Sequence, residues 1–304
     1  MASAAPWRMS RRRWRENLDA YLMIGPWLIG FLGLTAGPMI GSALLALSSW
    51  NLLSPPKLIG FGNFVELVQD DLFWVSLYNT AYYTFIGVPV HLLAALLAAL
   101  AVNVRLRMVN FYRAMLYLPS ITPSVASALL WTWIFNPDFG LANAILESLG
   151  LPKSMWIYDP VSAKPAMILM GIWGVGPQMV IFLAGLQSVP DALHEAAAID
   201  GANFWQRFRY ITLPMLSPVI FFSCIVGIIG SFQVFNSAFI MTQGGPANAT
   251  LFYVLYLYRK AWESLTMGYA SAMAWVLFVV ILAFTLIQFR LANRWVYYEG
   301  DLRR

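Results

Sequence analysis

The chain has 304 residues, of which 60% are hydrophobic and 11% are charged, whereas roughly a quarter of the residues of a soluble domain are charged. This composition excludes an ordinary soluble domain and predicts a polytopic membrane protein. The single cysteine, Cys224, lies inside an apolar run, so the chain has neither a disulfide framework nor a thiolate metal site.

Six uncharged intervals are each long enough to cross a hydrocarbon core of roughly 30 Å as a helix. The chain lacks the short alternating segments of a membrane barrel, and helices satisfy their own backbone polar groups in lipid. We therefore predict an all-α fold with six transmembrane helices, at about residues 20–48, 74–102, 114–135, 165–187, 216–241 and 267–290. They form one domain at 19–293, between a basic tail at 1–18 and a C-terminal tail at 294–304.

Lysines and arginines are divided unevenly between the two sets of loops. Fourteen lie in the N-terminal tail, the second and fourth loops and the C-terminal end, and five lie in the other loops. Because cytoplasmic loops carry the excess of positive residues, we expect both termini to face the cytoplasm. The net charge of +5 therefore does not require a nucleic-acid partner. The first apolar run is longer than the core of a cleaved signal peptide, so we expect it to remain as a span.

The loop at residues 188–214, between the fourth and fifth predicted spans, is polar and lies on the predicted cytoplasmic side. Residues 192–199 are mostly good helix formers, and Gly201 is typical of a helix end. A second short helix at 203–210, basic and aromatic, is predicted to lie at the level of the lipid headgroups. In the first helix, four residues share one nearly flat face: Leu193, Ala196, Ala197 and Asp200.

The same loop carries a specific series: Glu195-Ala196-Ala197, Asp200-Gly201-Ala202, Phe208, Ile211 and Leu213-Pro214. This series resembles the EAA loop of ABC importer permeases, with the Gly and the Leu-Pro at the family spacing. In that family the loop forms coupling helices that dock into a cleft on the ATP-hydrolysing subunit. The resemblance implies seven ATPase-docking residues: Leu193, Glu195, Ala196, Ala197, Asp200, Gly201 and Ala202.

Four further segments are similar to carbohydrate-type permeases, those of the maltose and glycerol-phosphate importers. They are GFGNF at 60–64, the Asn-Pro-Asp-Phe-Gly segment at 136–140, Met-Thr-Gln-Gly-Gly-Pro at 241–246 with Thr250, and the segment at 267–272. The resemblance extends over roughly residues 14–298. It implies the MetI-like fold of type I ABC importer permeases, with six transmembrane helices and a cytoplasmic coupling helix.

The resemblance also implies an assembly in a bacterial or archaeal cytoplasmic membrane. Its other members are a second, homologous permease subunit, two copies of an ATP-binding subunit and an extracytoplasmic solute-binding protein. The chain has no GxxxxGK[ST] phosphate loop, so ATP and Mg would be bound by the partner subunits and this chain would be non-catalytic, without a cofactor or metal of its own. We expect ATP-driven alternating access that carries a sugar or related polar solute into the cytoplasm.

Sugars are held by hydrogen bonds and by stacking on aromatic rings, so polar and aromatic residues inside the spans are candidates for the solute pathway. Interhelical hydrogen bonding that holds the bundle together is an alternative role for each of them. A lone histidine such as His91 is more often a hydrogen-bonded core residue. The candidates are Asn79, Tyr82, Tyr83, Trp173, Gln178, Gln233, Phe235 and Asn236.

An ion-coupled secondary transporter or a channel is the alternative class. Such proteins typically place charged residues within their spans, whereas all fourteen acidic residues fall outside the six predicted intervals. A membrane enzyme would need a catalytic constellation, and the sequence has no HExxH and no GxSxG motif.

Overall fold

The chain folds largely into α-helices in the computed structural model, which describes residues 11–104 and 107–297. Two short strands, β1 (Ser48–Ser49) and β2 (Lys57–Leu58), pair antiparallel with Ser48 opposite Leu58. Within the described residues the α-helices are α1 (Arg11–Phe31), α2 (Gly37–Ala46), α3 (Gly62–Gln69), α4 (Asp71–Val102), α5 (Val109–Tyr117), α6 (Ser124–Ile134), α7 (Leu141–Ser148), α8 (Ala163–Trp173), α9 (Gly176–Gln187), α10 (Asp191–Ile199), α11 (Phe204–Arg207), α12 (Leu213–Phe232), α13 (Tyr253–Tyr258) and α14 (Met267–Ala292).

Short turns of other helical types interrupt or join these helices. Four turns are π-helical, at Leu32–Ala36, Phe208–Thr212, Ala238–Thr242 and Arg259–Glu263. Two are 3-10 turns, at Leu118–Ile121 and Trp156–Tyr158.

Four helices of the described chain are long and apolar enough to cross a membrane: Glu16–Ala46, Asp71–Val102, Phe204–Phe232 and Met267–Ala292. Two further pairs, Val109–Ile121 with Ser124–Ile134 and Ala163–Trp173 with Gly176–Gln187, meet the same criteria only together. The described chain therefore has four candidate spans, or up to six if each bent pair is one span.

The predicted third and fourth spans are both broken. The first pair bends by 98° where Pro123 precedes α6, and the second pair bends by 54°. A residue before proline is pushed out of the helical region, and Thr122 is accordingly extended, with ψ at 130°. In the second pair Pro177 occupies the first turn of α9, where its missing N–H costs no hydrogen bond.

The predicted fifth span begins and ends earlier than the sequence pattern indicated. Its helix begins at Phe204 and ends at Phe232, so residues 204–210 belong to this long helix, with Asn203 as its N-cap, and the separate surface helix predicted at 203–210 is wrong. Pro214 is accommodated by the π-helical turn before α12, in which the Leu213 N–H donates to the Phe208 carbonyl, five residues back.

Helix α4 is the centre of the bundle and packs on α8, α9, α12 and α13. One buried cluster joins α4, α9 and α12, where Ala95 and Ala99 allow Phe182 and Leu216 to approach closely. A larger cluster joins α4, α12, α13 and α14 around Tyr253. Within lipid such packing is held by van der Waals contact and interhelical hydrogen bonds, and small residues at the contacts favour it.

A polar cluster ties together the α3–α4 junction, α13 and the start of α14. We call Asp70, Tyr256, Lys260 and Tyr269 the Asp70 network. Tyr256 and Tyr269 both donate hydrogen bonds to Asp70 Oδ2, and Lys260 Nζ lies 3.5 Å from the same oxygen. Lys260 also lies over the ring of Tyr269, 4.7 Å from its centroid.

The Asp70 network stabilises the ionised carboxylate. Partial burial by itself would raise the pKa of Asp70, but hydrogen bonds from Tyr256 and Tyr269, the charge of Lys260 and the N–H of Leu72 together lower this pKa below its usual value. The pKa of Tyr256 is raised, first by burial of its hydroxyl and then by its hydrogen bond to Asp70. The network is therefore an ion pair with two neutral phenol donors.

Candidate solute cleft and exposed helix α10

A cleft of about 380 Å³ lies where three interrupted helices meet. Pro119 and Ser124 flank the break before α6, Trp173 and Gly174 end α8, and residues 233–235 follow the end of α12. Helix breaks free backbone polar groups, and such breaks occur within a membrane where they line a cavity. Five of the eight predicted pathway residues line this cleft: Tyr83, Trp173, Gln233, Phe235 and Asn236.

A second cleft, of about 290 Å³, adjoins the first, since both are lined by Tyr83, Gly171, Gly174 and Val234. It adds Gln178, a sixth predicted pathway residue. His91 and Ser231 also line it. We refer to the two together as the double cleft.

Amide and hydroxyl groups of the double cleft are only partly used within the chain. Asn236 Nδ2 donates to Ser124 Oγ at 3.0 Å, and Gln233 Nε2 donates to the Ile229 carbonyl at 3.1 Å. Within the described part of the chain, neither the Tyr83 hydroxyl nor the Gln178 amide has a hydrogen-bond partner. These groups can therefore bind a polar solute without first losing an internal hydrogen bond.

Aromatic rings supply the apolar part of the lining. Phe235 stacks on Phe239, with centroids 5.2 Å apart, and touches Tyr258 at 5.1 Å. Trp173 packs edge-on against Trp131 at 6.0 Å. These contacts fix two aromatic faces that are suited to stacking against a sugar ring.

The other two predicted pathway residues, Asn79 and Tyr82, lie outside the double cleft. Asn79 is buried and donates to the Asn248 and Leu251 carbonyls at 2.8 and 3.2 Å, while its Oδ1 accepts from Lys164 Nζ at 2.8 Å. The ring of Tyr82 lies 5.2 Å from the same ammonium. Both residues join α4 to neighbouring segments, which fits the alternative role of interhelical hydrogen bonding.

His91 has a structural contact as well as a position in the lining. Its Nε2 lies 2.8 Å from the Ile168 carbonyl, so this nitrogen carries the proton and donates. Gly171 permits this arrangement, because a Cβ at that position would collide with the imidazole ring. The sequence-based interpretation of His91 as a hydrogen-bonded residue is confirmed.

None of the residues of helix α10 is buried, and most of them are exposed. Five of the seven predicted docking residues are exposed, whereas Ala197 and Ala202 are half-buried. Leu193 is 43% exposed, and Ile199, which sequence reasoning did not select, is 87% exposed. Apolar side chains on a short exposed helix are available to a partner surface.

The end of α10 is fixed by its sequence. Gly201 has φ +80°, and the N–H groups of Gly201 and Ala202 donate to the Ala198 and Ala197 carbonyls at 3.1 and 2.8 Å. This pair of bonds is a Schellman motif, in which glycine adopts the left-handed conformation without steric cost. The helix end predicted at Gly201 is thereby confirmed.

The start of α11 follows immediately. The Asn203 side chain accepts from the Gln206 N–H at 2.9 Å, and the Gln206 side chain accepts from the Asn203 N–H at 2.8 Å. This reciprocal capping box sets the direction in which the long helix leaves the loop.

Sequence reasoning missed several lining residues, among them Ser124 and Ser127 on α6. The available signal was Pro123, since a proline inside a predicted span indicates a break and therefore a place where polar groups collect. The described residues contain no group of three or more His, Cys, Asp or Glu side chains that could hold a metal ion.

The chain is similar in sequence to a known protein family and to several known proteins. Residues 80–297 match the family described as "Binding-protein-dependent transport system inner membrane component". The chain is 43% identical over 298 residues to the probable ABC transporter permease protein YesP of Bacillus subtilis, covering 96% of each chain. It is 33% identical over 286 residues to the trehalose/maltose transport system permease protein MalF of Thermococcus litoralis, covering 93% of this chain and 97% of that protein.

A solved structure of a bacterial ABC transporter involved in the import of the acidic polysaccharide alginate contains a similar chain. Its TM-score is 0.80 at 26% identity, and the match covers 93% of this chain and 99% of that chain. The chain therefore belongs to the family of inner-membrane components of binding-protein-dependent transport systems, and it is a permease subunit of an ABC importer.

Proposed function

We propose that this permease subunit moves a sugar or a related polar solute into the cytoplasm by ATP-driven alternating access. Its relative in Thermococcus litoralis is named for trehalose and maltose. The family assignment favours this mechanism over an ion-coupled carrier or a channel. The observation that carries the proposal is the double cleft, which is lined by amides, hydroxyls and aromatic rings from α4 and from three interrupted helices.

ATP is hydrolysed by separate subunits in this proposal, and α10 is the coupling helix that meets them. Its support is the exposure of five of the seven predicted docking residues and of Ile199, at a short helix whose end is fixed by Gly201. Two copies of the ATP-binding subunit, a second homologous permease and an extracytoplasmic binding protein complete the complex. ATP and Mg are bound by the ATPase subunits.

The chain crosses a bacterial or archaeal cytoplasmic membrane six times, counting each bent pair as one span, with both termini in the cytoplasm. The excess of basic residues in one set of loops supports this orientation. The Tyr297 N–H donates to Ser217 Oγ at 2.8 Å, so the end of the described chain lies beside the start of α12. In this orientation that contact lies on the cytoplasmic side of the membrane, as α10 does.

Two adjacent tyrosines on α4 provide a direct test in the whole complex, reconstituted into liposomes with its ATPase and binding protein. Tyr83 lines the double cleft and Tyr82 does not. We expect Tyr83→Phe to slow import of the transported sugar by roughly tenfold, the effect of about 1.4 kcal/mol for one hydrogen bond. Tyr82→Phe keeps its ring beside Lys164 and should transport like the parent.

Import is measured as labelled sugar accumulated per ATP hydrolysed, and assembly of each variant complex is checked by size-exclusion chromatography. Equal import by the Tyr83→Phe and Tyr82→Phe variants would show that the solute does not bind in the double cleft. Failure of the parent complex to accumulate any sugar, despite stimulation of its ATPase by the loaded binding protein, would refute sugar import itself.

A further inference from the structure

The recognition groups of the double cleft define the solute more narrowly than the family does. Its polar side chains are two glutamines, one asparagine, one tyrosine, one histidine and four serines: Gln178, Gln233, Asn236, Tyr83, His91, Ser124, Ser127, Ser231 and Ser237. Amides and hydroxyls both donate and accept hydrogen bonds, as sugar hydroxyls do. Such side chains can form hydrogen bonds with the hydroxyl groups of an uncharged polyol in many orientations.

Charged side chains near the cleft in sequence are engaged elsewhere. Lys164 is three residues before the lining residue Met167, yet its ammonium is held by Asn79 Oδ1 at 2.8 Å and by the rings of Tyr78 and Tyr82. Asn79 is itself buried and fixed by two backbone carbonyls. Lys164 is therefore tied to a face of α4 that does not line the double cleft.

The two cations that follow the fifth span are also occupied. Arg259 Nη2 donates to the Gln243 carbonyl at 2.6 Å, and Arg259 Nε lies 3.9 Å from Glu263. Lys260 is paired with Asp70 at 3.5 Å. Lys164, Arg259 and Lys260 thus each have a partner within the described part of this chain.

An acidic sugar would need a counter-charge in such a site. Moving a carboxylate from water into a cavity among membrane helices costs free energy that amides and hydroxyls only partly return. The hydroxyls of a neutral sugar exchange water for side-chain partners at little net cost, and its ring faces can stack on Trp173 and Phe235. The same fold imports an acidic polysaccharide in a solved relative, so the family alone does not decide the charge of the cargo.

We propose that the cargo of this permease is an uncharged carbohydrate, held in the double cleft by amide, hydroxyl and aromatic groups of this chain. This inference rests on the proposed function of the cleft. It adds that solute charge is discriminated inside the membrane as well as by the binding protein.

The test introduces a charge of each sign at one exposed cleft position, Gln233. Gln233→Lys and Gln233→Glu are compared in the reconstituted complex with its own binding protein. The probes are neutral gluco-, galacto-, xylo- and arabino-oligosaccharides and galacturonate and glucuronate oligosaccharides of two to four units. Binding of each probe to the binding protein is measured by calorimetry, and every probe that binds is labelled and used in the import assay.

For a neutral cargo, both charges must be desolvated against the sugar, so we expect both variants to slow import by similar factors, tenfold or more. For an acidic cargo, Gln233→Lys should keep or raise import while Gln233→Glu abolishes it. A difference of tenfold or more in favour of the lysine variant would overturn the inference, as would parental import of a galacturonate probe at the rate of a neutral one.

Import in the parent complex separates the two proposals. If the parent accumulates an acidic sugar, sugar import stands and the neutral-cargo inference fails. If no probe is accumulated while the loaded binding protein still stimulates ATP hydrolysis, the proposed function fails. Should a Gln233 variant not assemble, Gln178→Lys and Gln178→Glu in the adjoining cleft give the same comparison.

Discussion

The phenolic hydroxyl of Tyr269 donates a hydrogen bond of 2.7 Å to Asp70 Oδ2, joining the start of α14 to the residue that caps α4. A hydrogen bond to a charged group contributes about 1.5–3 kcal/mol. We expect Tyr269→Phe to lower the free energy of unfolding by an amount in this range, measured by thermal or denaturant unfolding of the purified chain in detergent. Tyr78→Phe, at an exposed tyrosine, is the control and should be neutral.

The same network predicts a specific pH dependence. Because the pKa of Asp70 is lowered in the folded protein, its contribution to stability is present above the ordinary carboxyl pKa of about 4 and is lost as pH falls through the lowered value. The difference in Tm between the parent and Asp70→Asn should therefore be constant from pH 8 to pH 5 and shrink below about pH 4. Asparagine preserves the helix cap, so the comparison isolates the charge. A difference that already disappears between pH 7 and pH 5 would contradict this assignment.

Two glycines of the double cleft predict opposite outcomes for the same substitution. In Gly171→Ala the new Cβ collides with the His91 ring and displaces it from the Ile168 carbonyl, which should cost about 1–3 kcal/mol. Gly230→Ala has no atom within 4 Å of the new Cβ, and on α12 it should be neutral or stabilising by up to about 1 kcal/mol. Tm values measured side by side check both, and equal losses would mean that the close approach of Gly171 and His91 is wrong.

Coupling to ATP hydrolysis is expected to depend on the end of α10. In Gly201→Val a branched residue is forced to positive φ, which costs roughly 1–2 kcal/mol and shifts the proposed docking face. Glu195→Lys reverses a charge on the exposed helix. We expect both variants to insert and assemble but to hydrolyse ATP with little sugar uptake.

The matched control for this experiment is Gly150→Val. Gly150 has φ +70° and ends α7 with the same pair of backbone bonds, from Gly150 to Glu147 and from Leu151 to Leu146. The strain is therefore similar but lies away from α10. If Gly150→Val lowers uptake per ATP as strongly as Gly201→Val, the effect is loss of stability and not loss of coupling.

Elements that depend on composition and local chemistry could be predicted from the sequence. The long helices α4 and α14 follow from uninterrupted apolar intervals, and the end of α10 follows from Gly201 in a left-handed turn. In each case the cause lies within a few residues of the effect, so a single sequence contains it.

Properties that depend on which way a helix faces could not be predicted. Apolar residues lie on every side of helix α4, so no hydrophobic stripe distinguishes its faces. Adjacent tyrosines therefore looked equivalent, although Tyr83 lines the double cleft and Tyr82 packs beside Lys164. The bends in the third and fourth spans did have local signals, in Pro123 and Pro177. The spans were predicted from the lengths of uncharged intervals, and such lengths do not reveal a break inside an interval.

The helix that runs from Phe204 to Phe232 has 29 residues and is therefore about 43 Å long. It starts two residues after the Schellman turn of α10 and stops one residue before Gln233, which lines the double cleft. A hydrogen-bonded rod of this length is stiff along its axis, so a displacement applied to its first turn arrives at its last. This helix thus links the exposed loop directly to the lining of the double cleft.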